Sequence, residues 1–287
     1  MHWTPKRKGR TAAVCPVAQR YRAAMSALDA YEVDQLTWDG KTRDVYRRGS
    51  GPAVIVIAEM PGMTPEVVGF ADRVVDLGCT AVLPHLFGIP GAGASPVNII
   101  RAIGPICVSK EFGAWATGKT SPVIEWCKAL ARHEHERCGG PGVGVVGMCF
   151  TGNFALAMLP DESIVAPVLS QPSLPLGFTA KAKRGLYLSD DDLRRAQDRM
   201  AAEPELCVLG LRFTHDRFVP PERFQHLREA LGDRFVAVEI DSSKGNPHGI
   251  PTAAHSVLTL HLVDEPGHPT RDALDQVLDL FRSRLLA

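Results

Sequence analysis

The run Ala53-Val-Ile-Val-Ile-Ala58 sets the tightest limit on what this chain can fold into. It is apolar and mostly β-branched from end to end, with no polar alternation, so a strand built from it needs cover on both faces. An antiparallel sheet with one wet face would leave half of it in water. A parallel sheet between two layers of helices buries all of it, and the rest of the chain supplies those layers. Thr64-Pro65 offers an N-cap and a first-turn proline. Val67, Phe70, Ala71, Val74 and Val75 then share one helical face before Gly78 stops it. Further strands are expected at Thr80 to Leu83, Val143 to Val146, Ile164 to Val168, Leu206 to Leu211 and Arg234 to Ile240. Val123, Trp126, Cys127 and Leu130 stripe one intervening helix, and Leu274, Val277, Leu278, Phe281 and Leu285 a closing one. Leu36 to Tyr46, turning at Asp39-Gly40, reads as a hairpin at the sheet edge. The alternation predicts an α/β fold, a doubly wound and mostly parallel sheet flanked by helices, with ligands beyond the carboxyl ends of its strands.

One such domain is expected over residues 31–287, behind a basic leader over 1–30. That leader carries Lys6, Arg7, Lys8 and Arg10 and lacks the apolar core of a signal peptide. Lys+Arg and Asp+Glu both total 32, so no net field draws nucleic acid or an anionic membrane. No apolar stretch approaches a membrane span. The seven cysteines are odd in number and lie mostly inside apolar runs, which points to reduced thiols and a cytoplasmic protein.

Gly147-Met148-Cys149-Phe150-Thr151-Gly152 carries the chemistry. It follows the strand Val143 to Val146 and precedes a helical stripe of Phe150, Phe154, Ala155, Met158 and Leu159, so Cys149 falls at a tight strand-to-helix turn. Such a turn lifts a nucleophile above the sheet, and a helix N-terminus behind it favours a thiolate. A buried cysteine at the top of a strand is the plainer alternative. A thiol nucleophile needs a base and an orienting acid from other strand ends. Asp216 follows one later strand, and His248 and His255 follow the next, with His261 and His268 beyond. This is the order nucleophile, acid, histidine found in α/β-hydrolases.

Four segments together resemble the dienelactone hydrolase (carboxymethylenebutenolidase) family of α/β-hydrolases. They are Ala58-Glu59-Met60-Pro61-Gly62, Gly147-Met148-Cys149-Phe150, His215-Asp216-Arg217-Phe218-Val219-Pro220 and Ala254-His255-Ser256. The resemblance covers roughly residues 35 to 285. It implies a cofactor-independent hydrolase of small esters or lactones, in which Cys149 attacks the carbonyl, His255 relays the proton and Asp216 orients the imidazole. The backbone N–H groups of Met60 and Phe150 would form the oxyanion hole, and Glu59 would meet the thiol in the resting enzyme. A non-catalytic ligand-binding or regulatory protein on the same fold, and an acyltransferase, are the alternatives.

Two positions depart from the family pattern. Thr151 stands where the elbow has glycine, and its hydroxyl is a candidate pocket group. Thr259, a candidate substrate-binding residue, stands where a carboxylate-binding arginine is expected, which removes a fork-like cation. Arg101 or Lys110 could substitute as substrate-binding cations, or be surface charges. His133-Glu134-His135 is read as a polar, frayed helix end rather than a metal site, since residues two apart on a helix diverge. The expected partner is a small substrate, with no metal, nucleic acid or membrane, in a monomer or small homo-oligomer.

Overall fold

The computed structural model describes residues 28–95, 97–102, 121–177 and 179–287. Most of the leader, together with Cys15, Cys107 and Lys110, lies outside them. Eight strands form one sheet in the order β1-β2-β4-β3-β5-β6-β7-β8. The hairpin of β1 (Glu32–Trp38) and β2 (Lys41–Gly49) is antiparallel at one edge, and β2 runs antiparallel to β4 (Thr80–Pro84). Every other pairing is parallel, through β3 (Ala53–Ile57), β5 (Val143–Met148), β6 (Ile164–Ser170), β7 (Val208–Phe213) and β8 (Phe235–Ile240).

The two-sided burial expected of the Ala53 run is what the sheet shows. On β3, Ile55 and Ile57 enter one core layer and Val54 and Val56 the other. The first layer is closed by α2 (Pro122–Cys138), α3 (Phe154–Met158), α5 (Asp190–Ala202) and α6 (Pro221–Leu231). The second is closed by α1 (Pro65–Asp76) and α7 (Pro269–Leu285). Leu28 packs with Tyr31 in that second layer, so the end of the stretch read as leader belongs to the core.

Two local expectations change. The stripe from Phe150 to Leu159 is not one long helix. A 3-10 turn over Cys149–Thr151 comes first, and only the short α3 follows before Pro160, so little helix macrodipole stands behind Cys149. The end of α2 is not frayed either. Glu134 is fully buried and accepts from Arg47 Nε on β2 at 2.8 Å, and this buried pair clips the edge hairpin to the helix layer. A short helix, α4 (Ala180–Arg184), sits within the connection from β6 to α5.

Candidate active site

β5 delivers Cys149 with φ +53°, in the left-handed region that a residue with a Cβ rarely adopts. Close approach explains the flanking glycines. A Cβ at Gly147 would meet the Thr151 carbonyl oxygen at 2.2 Å, and one at Gly152 the Cα of Pro172 at 2.4 Å. Thr151 is the first correction. Its side chain is wholly buried, and the hydroxyl accepts from the Met148 N–H at 3.0 Å while facing the carbonyls of Ile57 and Ala58 at 3.0 and 3.2 Å. It holds the elbow to the end of β3 and lines no pocket.

The Cys149 sulfur lies 3.5 Å from the Ser173 hydroxyl, and the Ser173 N–H donates to the Cys149 carbonyl at 2.9 Å. Phe150 is half-buried with its ring edge-on to Phe87, 6.1 Å between centroids. Met60, also half-buried, packs at the edge of the first core layer beyond the end of β3.

The loop after β7 carries Asp216, and the long connection from β8 to α7 carries His255. His255 Nδ1 and Asp216 Oδ2 are 2.6 Å apart, while Asp216 Oδ1 accepts from the Phe218 N–H at 2.9 Å. The Phe218 ring stands edge-on to the imidazole. Burial opposes a charge on His255. The hydrogen bond and charge of Asp216, with those of the Cys149 sulfur, outweigh it and push the imidazole pKa up to about 11. The contact with sulfur is not a well-aligned hydrogen bond, because the buried Nε2 finds no partner of good geometry. His261 Nδ1 accepts from the backbone N–H groups of His255 and Ser256, at 3.4 and 3.2 Å. Burial, then the neighbouring His255 charge, lower its pKa, in keeping with a neutral acceptor. His248 is exposed, against His268, and lies on no such network.

Glu59 is buried and accepts from Ser256 Oγ at 2.6 Å, from Gln171 Nε2 at 3.2 Å and from the Thr259 hydroxyl. The contact with the thiol that the resemblance implied is therefore not among its hydrogen bonds. The carboxylate ties the histidine loop to the end of β3 instead. Thr259 is corrected likewise: its hydroxyl serves Glu59 rather than a substrate. Arg101 is exposed in the helical stretch 97–102 and bonds to none of the described site residues.

Three contributors carried no signal in the sequence, Ser173, Gln171 and Arg223, and Ser256 entered only within the histidine-loop motif, with no role of its own. Gln171 holds a strained φ of +34° and accepts from the Val257 N–H at 3.2 Å, joining the end of β6 to the histidine loop. Arg223 is buried, with its pKa lowered to about 10 by that burial, and gives its donors to the carbonyls of Gly185, Pro172, Phe218, Pro175 and Ala182. The usable clue was topological: Gln171-Pro172-Ser173 follows the strand next to β5, where polar residues after an apolar run face the site.

The arrangement, a cysteine on a strained turn beside a histidine–carboxylate pair, suits acyl transfer through a covalent intermediate. The whole fold has solved counterparts. A dienelactone hydrolase-like promiscuous phosphotriesterase from metagenomic libraries superposes with a TM-score of 0.60 at 15% identity, over 89% of this chain and 98% of that one. A 2,6-dihydroxy-pseudo-oxynicotine hydrolase gives 0.56 at 16%, over 93% and 72%. A cold-adapted esterase from an Arctic intertidal metagenomic library, solved with zinc bound, gives 0.54 at 17%, over 89% and 93%. No curated protein matches by sequence. At these identities the structures speak for the fold alone. The sequence itself matches the dienelactone hydrolase family over residues 43–285, from β2 to the last helix, and so includes every element that builds the site. The chain belongs to the dienelactone hydrolase family and is an ester hydrolase.

Proposed function

We propose that this hydrolase works through a thiol, with Cys149, His255 and Asp216 as its triad and small esters or lactones as substrates. The observation that carries the reading is the 2.6 Å bond between His255 and Asp216, which leaves the opposite imidazole nitrogen buried beside the Cys149 sulfur. Cys149 forms a bond from sulfur to the acyl carbon, and the carbonyl electron pair moves onto oxygen. The N–H groups of Met60 and Phe150 stabilise that oxyanion. When the tetrahedral intermediate collapses, the carbon–oxygen bond breaks and His255 Nε2 protonates the departing alkoxide. Water then attacks the thioester with His255 as base, releasing the acid and restoring the thiolate. Asp216 holds the imidazole in the tautomer and orientation that both steps need, and the free cysteines fit a reduced, cytoplasmic setting.

Hydrolysis of an activated aryl ester tests this. It should fall at least about a thousandfold in Cys149→Ala, and alkylation with iodoacetamide near neutral pH should abolish it. Wild-type turnover in the folded Cys149→Ala protein sinks the proposal.

A further inference from the structure

Ser173 is doubly fastened to the proposed nucleophile. Its N–H donates to the Cys149 carbonyl, and its hydroxyl lies 3.5 Å from the sulfur. The residue is only 4% exposed, so bulk water does not compete for the hydroxyl. Among the described residues the sulfur is its sole hydrogen-bond partner. The loop beneath is held on both sides: Arg223 Nη1 donates to the Pro172 carbonyl at 2.7 Å, and Gly152 packs against Pro172 with no room for a Cβ.

We propose that Ser173 is a further catalytic residue of this centre, donating its hydroxyl hydrogen to the Cys149 sulfur and so holding the thiolate in place before attack. The proposal rests on Cys149 being the nucleophile. Its direction follows from the neighbours. His255 sits beside the sulfur with Asp216 behind it, and that carboxylate favours a proton on the ring. Attack by sulfur requires that its proton pass to His255, and the thiolate so formed can only accept, so in the attacking state the hydroxyl is the donor.

Among the described residues, the other charged or titratable groups around the centre are spoken for. Glu59 accepts from Ser256, Gln171 and Thr259, and His261 accepts backbone N–H groups. Arg223, whose charge Asp216 feels, is given to carbonyls, and Arg212, which feels it too, to two carbonyls and to Glu239 at 3.0 Å. Phe150, Met60 and Phe218 are uncharged. No proton passes through Ser173: as the sulfur–carbon bond forms, sulfur loses its charge and the hydroxyl's bond to it weakens.

The test is the pH dependence of iodoacetamide alkylation at Cys149 in the full chain, followed by mass spectrometry of the peptide that contains it. Alkylation reads the thiolate directly and needs no turnover. Losing a hydrogen bond to a charged acceptor should move the midpoint up by about one pH unit in Ser173→Ala. Ser173→Thr, which keeps the hydroxyl, should return it close to the parent value. The acid limb of kcat/KM should follow the same shift. Ser173→Gly gives the same readout should the alanine variant fail to fold. An unchanged midpoint overturns the proposal. So does a lowered one, which would mean the thiol donates to the serine, and so does a threonine variant that behaves like alanine. Because the readout bypasses catalysis, wild-type hydrolysis in Cys149→Ala would remove the nucleophile role without deciding whether Ser173 donates to sulfur.

Discussion

His255 carries the clearest consequence at the scale of single residues. A histidine titrates near 6.5 in an unfolded chain, whereas here Asp216 and the Cys149 sulfur hold its pKa up at about 11 despite burial. The folded state therefore binds the proton more tightly than the unfolded one. The resulting stability is fully present below about pH 6.5 and is lost as pH rises through about 11. Comparing the Tm of His255→Ala with that of the parent from about pH 6 to about pH 10 should show a deficit that shrinks as pH rises. A deficit that grows with pH would mean the imidazole is neutral in the fold. Residue identity alone took the sequence reading a long way here. The pairing of Asp216 with His255 was legible because each stands on a loop after an apolar strand, in an order that α/β folds impose. Thr151 was misread, because a hydroxyl at a crowded turn looks like a pocket group until the carbonyls of Ile57 and Ala58, more than ninety positions earlier in the chain, are seen to face it.

Among the elements, the pairing of β2 with α2 rests on a feature no local pattern reveals. Glu134 sits in a run of charged residues that reads as a solvated helix end, yet it is fully buried against Arg47, 87 positions away. Removing one partner of a buried pair leaves the other charge without compensation. Arg47 keeps a weaker contact at 3.4 Å with the exposed Asp34, which softens the loss. Glu134→Ala should cost about 3 kcal/mol in urea unfolding while leaving kcat/KM nearly unchanged. A loss below about 0.5 kcal/mol would show the pair to be dispensable. The strands themselves were legible, since continuous apolar runs admit few other fates. Helix α3 was not, because the stripe from Phe150 to Leu159 keeps helical spacing through a stretch that begins as a 3-10 turn.

For the molecule as a whole, the balance of charge around the cleft bears on what it hydrolyses. The position that would offer a cation, Thr259, holds a hydroxyl already committed to Glu59, and Arg101 stands exposed on 97–102. With no forked cation placed at the site among the described residues, a substrate carboxylate gains little. A carboxylated lactone should not exceed its methyl ester in kcat/KM by more than about a hundredfold, and a larger ratio would reveal another cation in the cleft. The site also inherits a mechanical property from the sheet. The ladder between β3 and β5 reaches Ile57 opposite Gly147, and the Thr151 side chain adds one more rung where the backbones part. Glu59 and Met60 on one side and Cys149 and Phe150 on the other thus leave the sheet from a single hydrogen-bonded seam, so their spacing is set by the backbone ladder itself.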